Sequence, residues 1–287
     1  MFRAVSALAV LAAAASIASC GRLVMLAADP WWSAAAAGSP ATARRIGLAA
    51  LRHGYVPSIV AVPVRESARE RLVAALSHGR VAVAVLGPPL CFRAGEIAIR
   101  FPDVTFVLVG GPDADDGIPN TVQLVYDRAA AFHEAGSIAA AAGTVAVLAA
   151  PGRPEAETKA FVKGVLSVAG AVVPASRTLA NAPTLDSLKS AVSEMRGAGV
   201  EVFLYRPTGS GAAFLDVLAA AGGRAVVEDW AASRPRPGQV LASIEEDLAA
   251  GIGACLARGA PSVVTVAATL VRRDAAGEPA GRKAGSP

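Results

Sequence analysis

The feature that most constrains this chain is an alternation, run through twice, of short apolar β-branched runs with amphipathic helical runs. Leu23–Ala28, Ser58–Val64, Val81–Leu86 and Thr105–Val109 read as strands. Between them, Thr42–Arg52, Glu66–Ser77 and Phe92–Phe101 carry apolar residues at helical spacing. Gly and Pro punctuate nearly every junction, as in His53-Gly54, His78-Gly79 and Gly87-Pro88-Pro89. Strands that are apolar without alternation are buried on both faces, so they belong to parallel sheets whose crossovers are helices.

The pattern restarts near Tyr126–Phe132. Asn120–Tyr126 is extended and Ala129–Ala142 helical. Thr144–Ala149, Ala171–Thr178, Val200–Tyr205 and Ala225–Val227 then read as strands. Pro154–Val168, Thr184–Arg196 with Thr184 as its cap, and Ala212–Ala221 read as helices. Gln239–Arg258 reads as one further helix and Ser262–Leu270 as a last strand, before a charged, Gly- and Ala-rich tail from Arg272. Two α/β lobes follow, each a parallel sheet flanked by helices, with a small ligand expected in a cleft between them. The expected boundaries are 20–127 with return elements from the C-terminal region, 128–238, and a lobe-crossing helix and strand over 239–271.

The most informative stretch is Gly199–Trp230. An apolar strand meets the turn Pro207-Thr208-Gly209-Ser210-Gly211, which opens a helix closed by Gly222-Gly223. The next strand delivers Glu228, Asp229 and Trp230 at its carboxyl end. Open parallel sheets bind ligands at the carboxyl ends of their strands, and a glycine turn before a helix leaves N–H groups free. The plainer reading is an ordinary βαβ unit.

The N-terminus sets the compartment. Arg3 precedes the apolar run Ala4–Ala15, too short to span a bilayer, and Ile17-Ala18-Ser19-Cys20-Gly21 follows. This resembles a bacterial lipobox, with residues 1–19 a signal peptide and Cys20 the lipidated first residue of a body held outside the cytoplasm. The alternatives are a plain signal peptide or an uncleaved anchor. Arg3 is the only charged residue removed, so the body keeps 26 Lys and Arg against 23 Asp and Glu, with no long basic block. Nucleic acid is therefore not expected as a partner. Cys91 and Cys255 read as small buried hydrophobes, with a disulfide as the other possibility. His53, His78 and His133 lack metal-ligand spacing, and no Gly-x-Ser-x-Gly elbow is present. Neither an enzyme, a metal site nor a cofactor is expected.

Several segments together resemble the basic-membrane-protein type of solute-binding lipoproteins that serve ABC importers. They are Arg100-Phe101-Pro102-Asp103-Val104-Thr105-Phe106, Pro119-Asn120-Thr121-Val122, Phe161-Val162-Lys163-Gly164, Thr208-Gly209-Ser210-Gly211, Asp229 and Ser243. The resemblance runs from about Val81 to Leu256. It implies the type I periplasmic-binding fold, a membrane permease as partner, a monomer, and a purine nucleoside or riboflavin-like solute. It places Asp229 on sugar hydroxyls, Phe161 in a stack on the base, and Gly87, Gly209 and Gly211 where backbone approaches the ligand. Plainer readings exist: a solvated strand end for Asp229, a core residue for Phe161, turn geometry for the glycines.

The chain also departs from the family. The first loop reads Asp29-Pro30-Trp31-Trp32-Ser33, keeping an acid and offering two indoles to a flat ring in place of an asparagine. Glu245 and Glu246 stand where the family often has a lysine, either changing specificity or capping a helix. A ligand-degenerate sensor or interaction lipoprotein of the same fold is the other reading.

Overall fold

The computed structural model describes residues 21–28, 40–62, 65–78, 81–87, 91, 94–110, 118–180, 183–206, 212–228, 238–258 and 260–273. These divide into two compact units, one comprising 21–125 and 248–266, the other 126–247 and 267–273.

In the first unit the described strands are β1 (Gly21–Ala28), β2 (Tyr55–Val62), β3 (Val81–Leu86), β4 (Thr105–Val109), β5 (Thr121–Asp127, which runs on into the second unit) and β11 (Val263–Ala267). Their order is β11-β5-β4-β3-β1-β2, and the pairs from β2 through β5 are parallel. The crossovers include α1 (Pro40–Arg52), α2 (Arg65–His78) and α3 (Ala94–Ala98). Val24, Ala84, Leu86, Phe106 and Leu108 alternate with residues facing the opposite layer and pack with Leu72, Leu76 and Ile97 of the helices. Asn120 closes the amino edge of this sheet. Its side-chain amide donates to the Ala98, Phe101 and Val104 carbonyls at 3.0, 3.0 and 2.9 Å, tying the turn after α3 to the start of β5.

The second unit repeats the plan. Its described strands are β6 (Val145–Ala149), β7 (Ala175–Thr178), β8 (Val202–Arg206), β9 (Arg224–Glu228), β10 (Val240–Glu245) and β12 (Thr269–Arg272), in the order β12-β10-β9-β8-β6-β7. All pairs are parallel except β10 with β12. Helices α4 (Ala129–Ala142) and α5 (Glu155–Leu166) cover one face, and α6 (Leu185–Gly197) and α7 (Ala212–Ala220) the other. Thr184 caps α6 as its sequence implies, its hydroxyl accepting from the Ser187 N–H at 3.2 Å. Gly136 and Gly164 set the α4–α5 crossing. A methyl on Gly136 would lie 2.1 Å from the Phe161 carbonyl oxygen, and one on Gly164 would lie 1.8 Å from that of His133. Each glycine thus seats the other helix's backbone.

The structure departs from the sequence reading in the return segments. Gln239–Arg258 is not one helix: it is β10 followed by α8 (Leu248–Leu256). Val240, Ala242 and Ile244 are buried, and β10 finds parallel pairing beside β9, which overrides the helical propensity of the segment. Ser262–Leu270 is two strands separated at Ala268, β11 in the first sheet and β12 in the second.

Candidate functional site

The carboxyl ends of the second unit's strands gather charge. An apolar strand buried on both faces can carry an ionic group only where it leaves the sheet, and β8 and β9 do so at their last residues, Arg206 and Glu228. Arg128 stands at the N-cap of α4, Glu157 and Thr158 lie in the first turn of α5, Arg153 in the loop after β6, and Glu246 just after β10.

Glu228 is the hub. One of its carboxylate oxygens accepts from Arg128 Nη2 at 2.6 Å and lies 3.7 Å from Arg153 Nη2; the other accepts from Arg206 Nε at 2.8 Å. Arg206 is fully buried and well satisfied. It donates to Thr158 Oγ1 at 2.7 Å, to the Pro154 carbonyl at 3.1 Å, and to Glu157. Arg128 reaches Glu157 at 3.7 Å and Glu246 at 3.4 Å. The buried Phe132 ring lies under both guanidiniums, 5.1 Å from that of Arg128 and 4.6 Å from that of Arg206.

Burial by itself would push the Glu228 carboxyl up, but Arg128, Arg153 and Arg206 outweigh it and hold it below the ordinary carboxylate range. For Arg128 burial opposes the charge, and Glu228, Glu246 and Glu157 hold its pKa above the ordinary guanidinium value. Glu228 and Arg128 are therefore held in their charged forms by each other and by their neighbours. Among the described residues it contains three guanidiniums and three carboxylates, so its formal charge cancels.

Exposure grades across it. Arg206 and Glu228 are closed off, with side chains 0% and 7% exposed, while Arg153 and Glu246 are 29% and 31% exposed. The closed members fix the geometry of the cluster, and the rim members reach solvent.

Behind the cluster, Ser243 donates to Glu245 at 2.6 Å and accepts from Arg273 Nη2 at 3.1 Å, and Arg273 also donates to Glu245. The family-like serine thus has a structural account, and Glu245 ends a strand where the sequence reading allowed a helix cap.

The sequence-derived candidates fall unevenly on this picture. Asp29, Trp31, Trp32, Gly209, Gly211, Asp229 and the lipidation residue Cys20 lie outside the described residues. Gly87 follows β3 and is buried. Phe161 is 0% exposed in the apolar cluster with Phe132, Val147, Val165 and Leu204, so its ring is a core group. Sequence reasoning reached Glu228 only as a neighbour of Asp229 and passed over Arg128, Arg153, Glu157 and Arg206. The available signal was a charge at the last position of an apolar strand. Cys91 and Cys255 are both free thiols. No helix among the described residues is long and apolar enough to cross a membrane, and no group of His, Cys, Asp and Glu among them is arranged to hold a metal ion.

No protein-family model matches the sequence, and comparison with curated proteins finds no match. Solved structures do match in shape. An ABC-transporter solute-binding protein from Conexibacter woesei is similar at 16% identity and a TM-score of 0.67, covering 91% of this chain and 92% of its own. The Caulobacter myo-inositol binding protein bound to myo-inositol is similar at 14% identity and a TM-score of 0.59, covering 87% of this chain and 93% of its own. A transcriptional activator of the comK gene from Bacillus halodurans is similar at 17% identity and a TM-score of 0.67, covering 92% of each chain. With two parallel-dominated sheets flanked by helices, the chain has the type I periplasmic-binding fold.

Proposed function

We propose that this chain is an extracytoplasmic solute-binding protein of an ABC importer, lipid-anchored through Cys20, that captures an uncharged hydroxyl-bearing solute and hands it to a membrane permease. The observation that carries the reading is the charge-balanced Arg–Glu cluster at the carboxyl edge of the second sheet. That edge is where open α/β sheets bind ligands. The solute-binding proteins of similar shape support the role.

The balance of charge supports the ligand class. A solute carboxylate or phosphate would need a guanidinium in excess, and each of the cluster's three already faces a carboxylate. A hydroxyl needs only a fixed donor and acceptor, which Arg153 and Glu246 offer at the rim. Purine nucleosides and riboflavin both pair a flat ring with several hydroxyls. Asp229 would add a carboxylate beside Glu228, Trp31 or Trp32 would stack on the ring, and the Gly209–Gly211 turn would bring N–H groups close. The role requires no catalysis. The internal satisfaction of Arg206 favours a second reading, a sensor or interaction lipoprotein whose cluster is purely structural.

Native mass spectrometry of the mature protein, followed by calorimetric titration, separates these readings. The ligand set is adenosine, guanosine, riboflavin, ribose and myo-inositol, beside the phosphorylated partners AMP and FMN. The expected result is binding of a neutral member at least about 10-fold tighter than its phosphorylated partner, weakened about 10-fold or more by Asp229→Ala or Arg153→Ala. Tighter binding of the phosphorylated form would overturn the neutral-solute assignment. Silence with every solute would favour the sensor.

A further inference from the structure

If Cys20 is the lipidated residue, the tether has no slack, because Gly21 is already the first residue of β1. The edge of the first sheet where its strands begin must then lie against the bilayer. The residues exposed there are matched to that surface. Gly21 pairs with Tyr55, so the C-terminal end of α1, which leads into β2, comes to the same edge as the tether. Alpha-helix α1 contains no acidic residue, and its outward ridge presents Leu48 and Leu51, 48% and 55% exposed, beside Arg52. Val83 pairs with both Leu23 and Thr105, so β4 begins at this edge as well. Asn120, at the start of β5, holds the Ala98–Val104 turn there through three hydrogen bonds. That turn exposes Ile99, the most exposed large hydrophobic side chain among the described residues at 70%, and Arg100 beside it. Arg22, two residues beyond Cys20, is exposed. Against three arginines, the turn contributes one acid, the exposed Asp103.

β2, β1, β3 and β4 are consecutive in the sheet, so β2 and β4 begin three strand spacings, about 15 Å, apart along this edge. Exposed aliphatic side chains interleaved with arginines are the composition of an interfacial membrane contact, and stable anchoring takes a second signal beside the lipid.

We infer that this edge, with Leu51 and Ile99 as apolar anchors and Arg22, Arg52 and Arg100 as headgroup contacts, docks on an anionic phospholipid surface. The inference rests on the lipid-anchor reading of Cys20.

The test uses the full chain, processed in a bacterial host and reconstituted into phosphatidylcholine vesicles with and without roughly 30 mol % phosphatidylglycerol. Intact mass first establishes whether Cys20 is acylated. An environment-sensitive nitrobenzoxadiazole label is then placed at Leu51→Cys or Ile99→Cys, with Val172→Cys in the second unit as control. Labels at 51 and 99 should brighten about five-fold on anionic vesicles, be quenched by nitroxide lipids, and lose most of the gain in about 0.5 M salt. The label at 172 should not change. The triple variant Arg22→Glu/Arg52→Glu/Arg100→Glu should abolish the gain with an unchanged thermal midpoint, since all three side chains are exposed. An acylated chain whose labels at 51 and 99 behave like that at 172 overturns the docking edge alone. A chain without acylation overturns the anchor, and the docking inference with it.

Discussion

Gly164→Ala tests the helix crossing most sharply. The substituted methyl would stand 1.8 Å from the His133 carbonyl oxygen and 2.7 Å from its carbon. Ordinary contact begins near 3.4 Å, so α4 and α5 must part by more than an ångström. Dispersion falls steeply with such a gap, and parting also stretches the 3.0 Å hydrogen bond from Ser137 Oγ to the Gly164 carbonyl. Overpacking of this kind costs up to about 3 kcal/mol, and the alanine returns about 1 kcal/mol in helix propensity. The expected net loss is about 2 kcal/mol, read from urea unfolding followed by circular dichroism. Gly253→Ala is the control. It lies within α8, and its methyl would meet only the Ala49 side chain at an ordinary 3.8 Å. Propensity alone then acts, and a gain of about 0.5–1 kcal/mol is expected. Equal stabilities for the two variants would refute the account of the crossing.

Arg206→Met leaves Glu157 and Glu228 without a fully buried partner and should cost about 3 kcal/mol in the same assay; a loss under about 1 kcal/mol would mean the pair is not structurally coupled. Because the folded-state pKa of Glu228 is lowered, its stabilisation is present above the unfolded value of about 4.3 and disappears as pH falls through the lower folded value. Glu228→Gln should therefore flatten the acid limb of a stability-versus-pH curve below about pH 5, and an unchanged limb would assign that limb to other groups. Burial pushes the Cys91 thiol up to about 12 and that of Cys255 to about 11. At pH 8 neither should react with Ellman's reagent in the native protein, and both should do so in urea; rapid native reaction would show an open thiol.

The strands and helices of the two sheets were largely legible because fully buried parallel strands announce themselves as unbroken apolar runs. Val81–Leu86 and Ala129–Ala142 appear at the limits their patterns imply. The return segments were not legible, for two reasons. Val240–Glu245 has no Gly or Pro between it and Leu248, and its Leu-Ala-Ser-Ile sequence suits a helix when no neighbour is known. Its alternation of Val240, Ala242 and Ile244 was the overlooked period-2 signal. The charge cluster is a different case. Arg128 and Glu228 are 100 residues apart and Arg206 and Glu228 are 22 apart, so no local spacing links them. In the Phe161–Gly164 pattern the glycine makes the helix crossing and the ring fills the core, the plainer of the two readings the sequence left open.

Ala268, the single residue between β11 and β12, has a consequence for how the chain comes into being. The first unit borrows α8 and β11 from residues 248–266, so its edge strand β11 leaves the ribosome, or crosses the membrane, after nearly all of the second unit. The second unit at that moment lacks only β12. The unit that begins first in the sequence is the one that must wait, holding β5 unpaired on one side while well over a hundred residues pass. A stop or a proteolytic cut just before Val263 would strip an edge strand from both sheets at once, so the last dozen or so described residues act as a completion check on everything made before them.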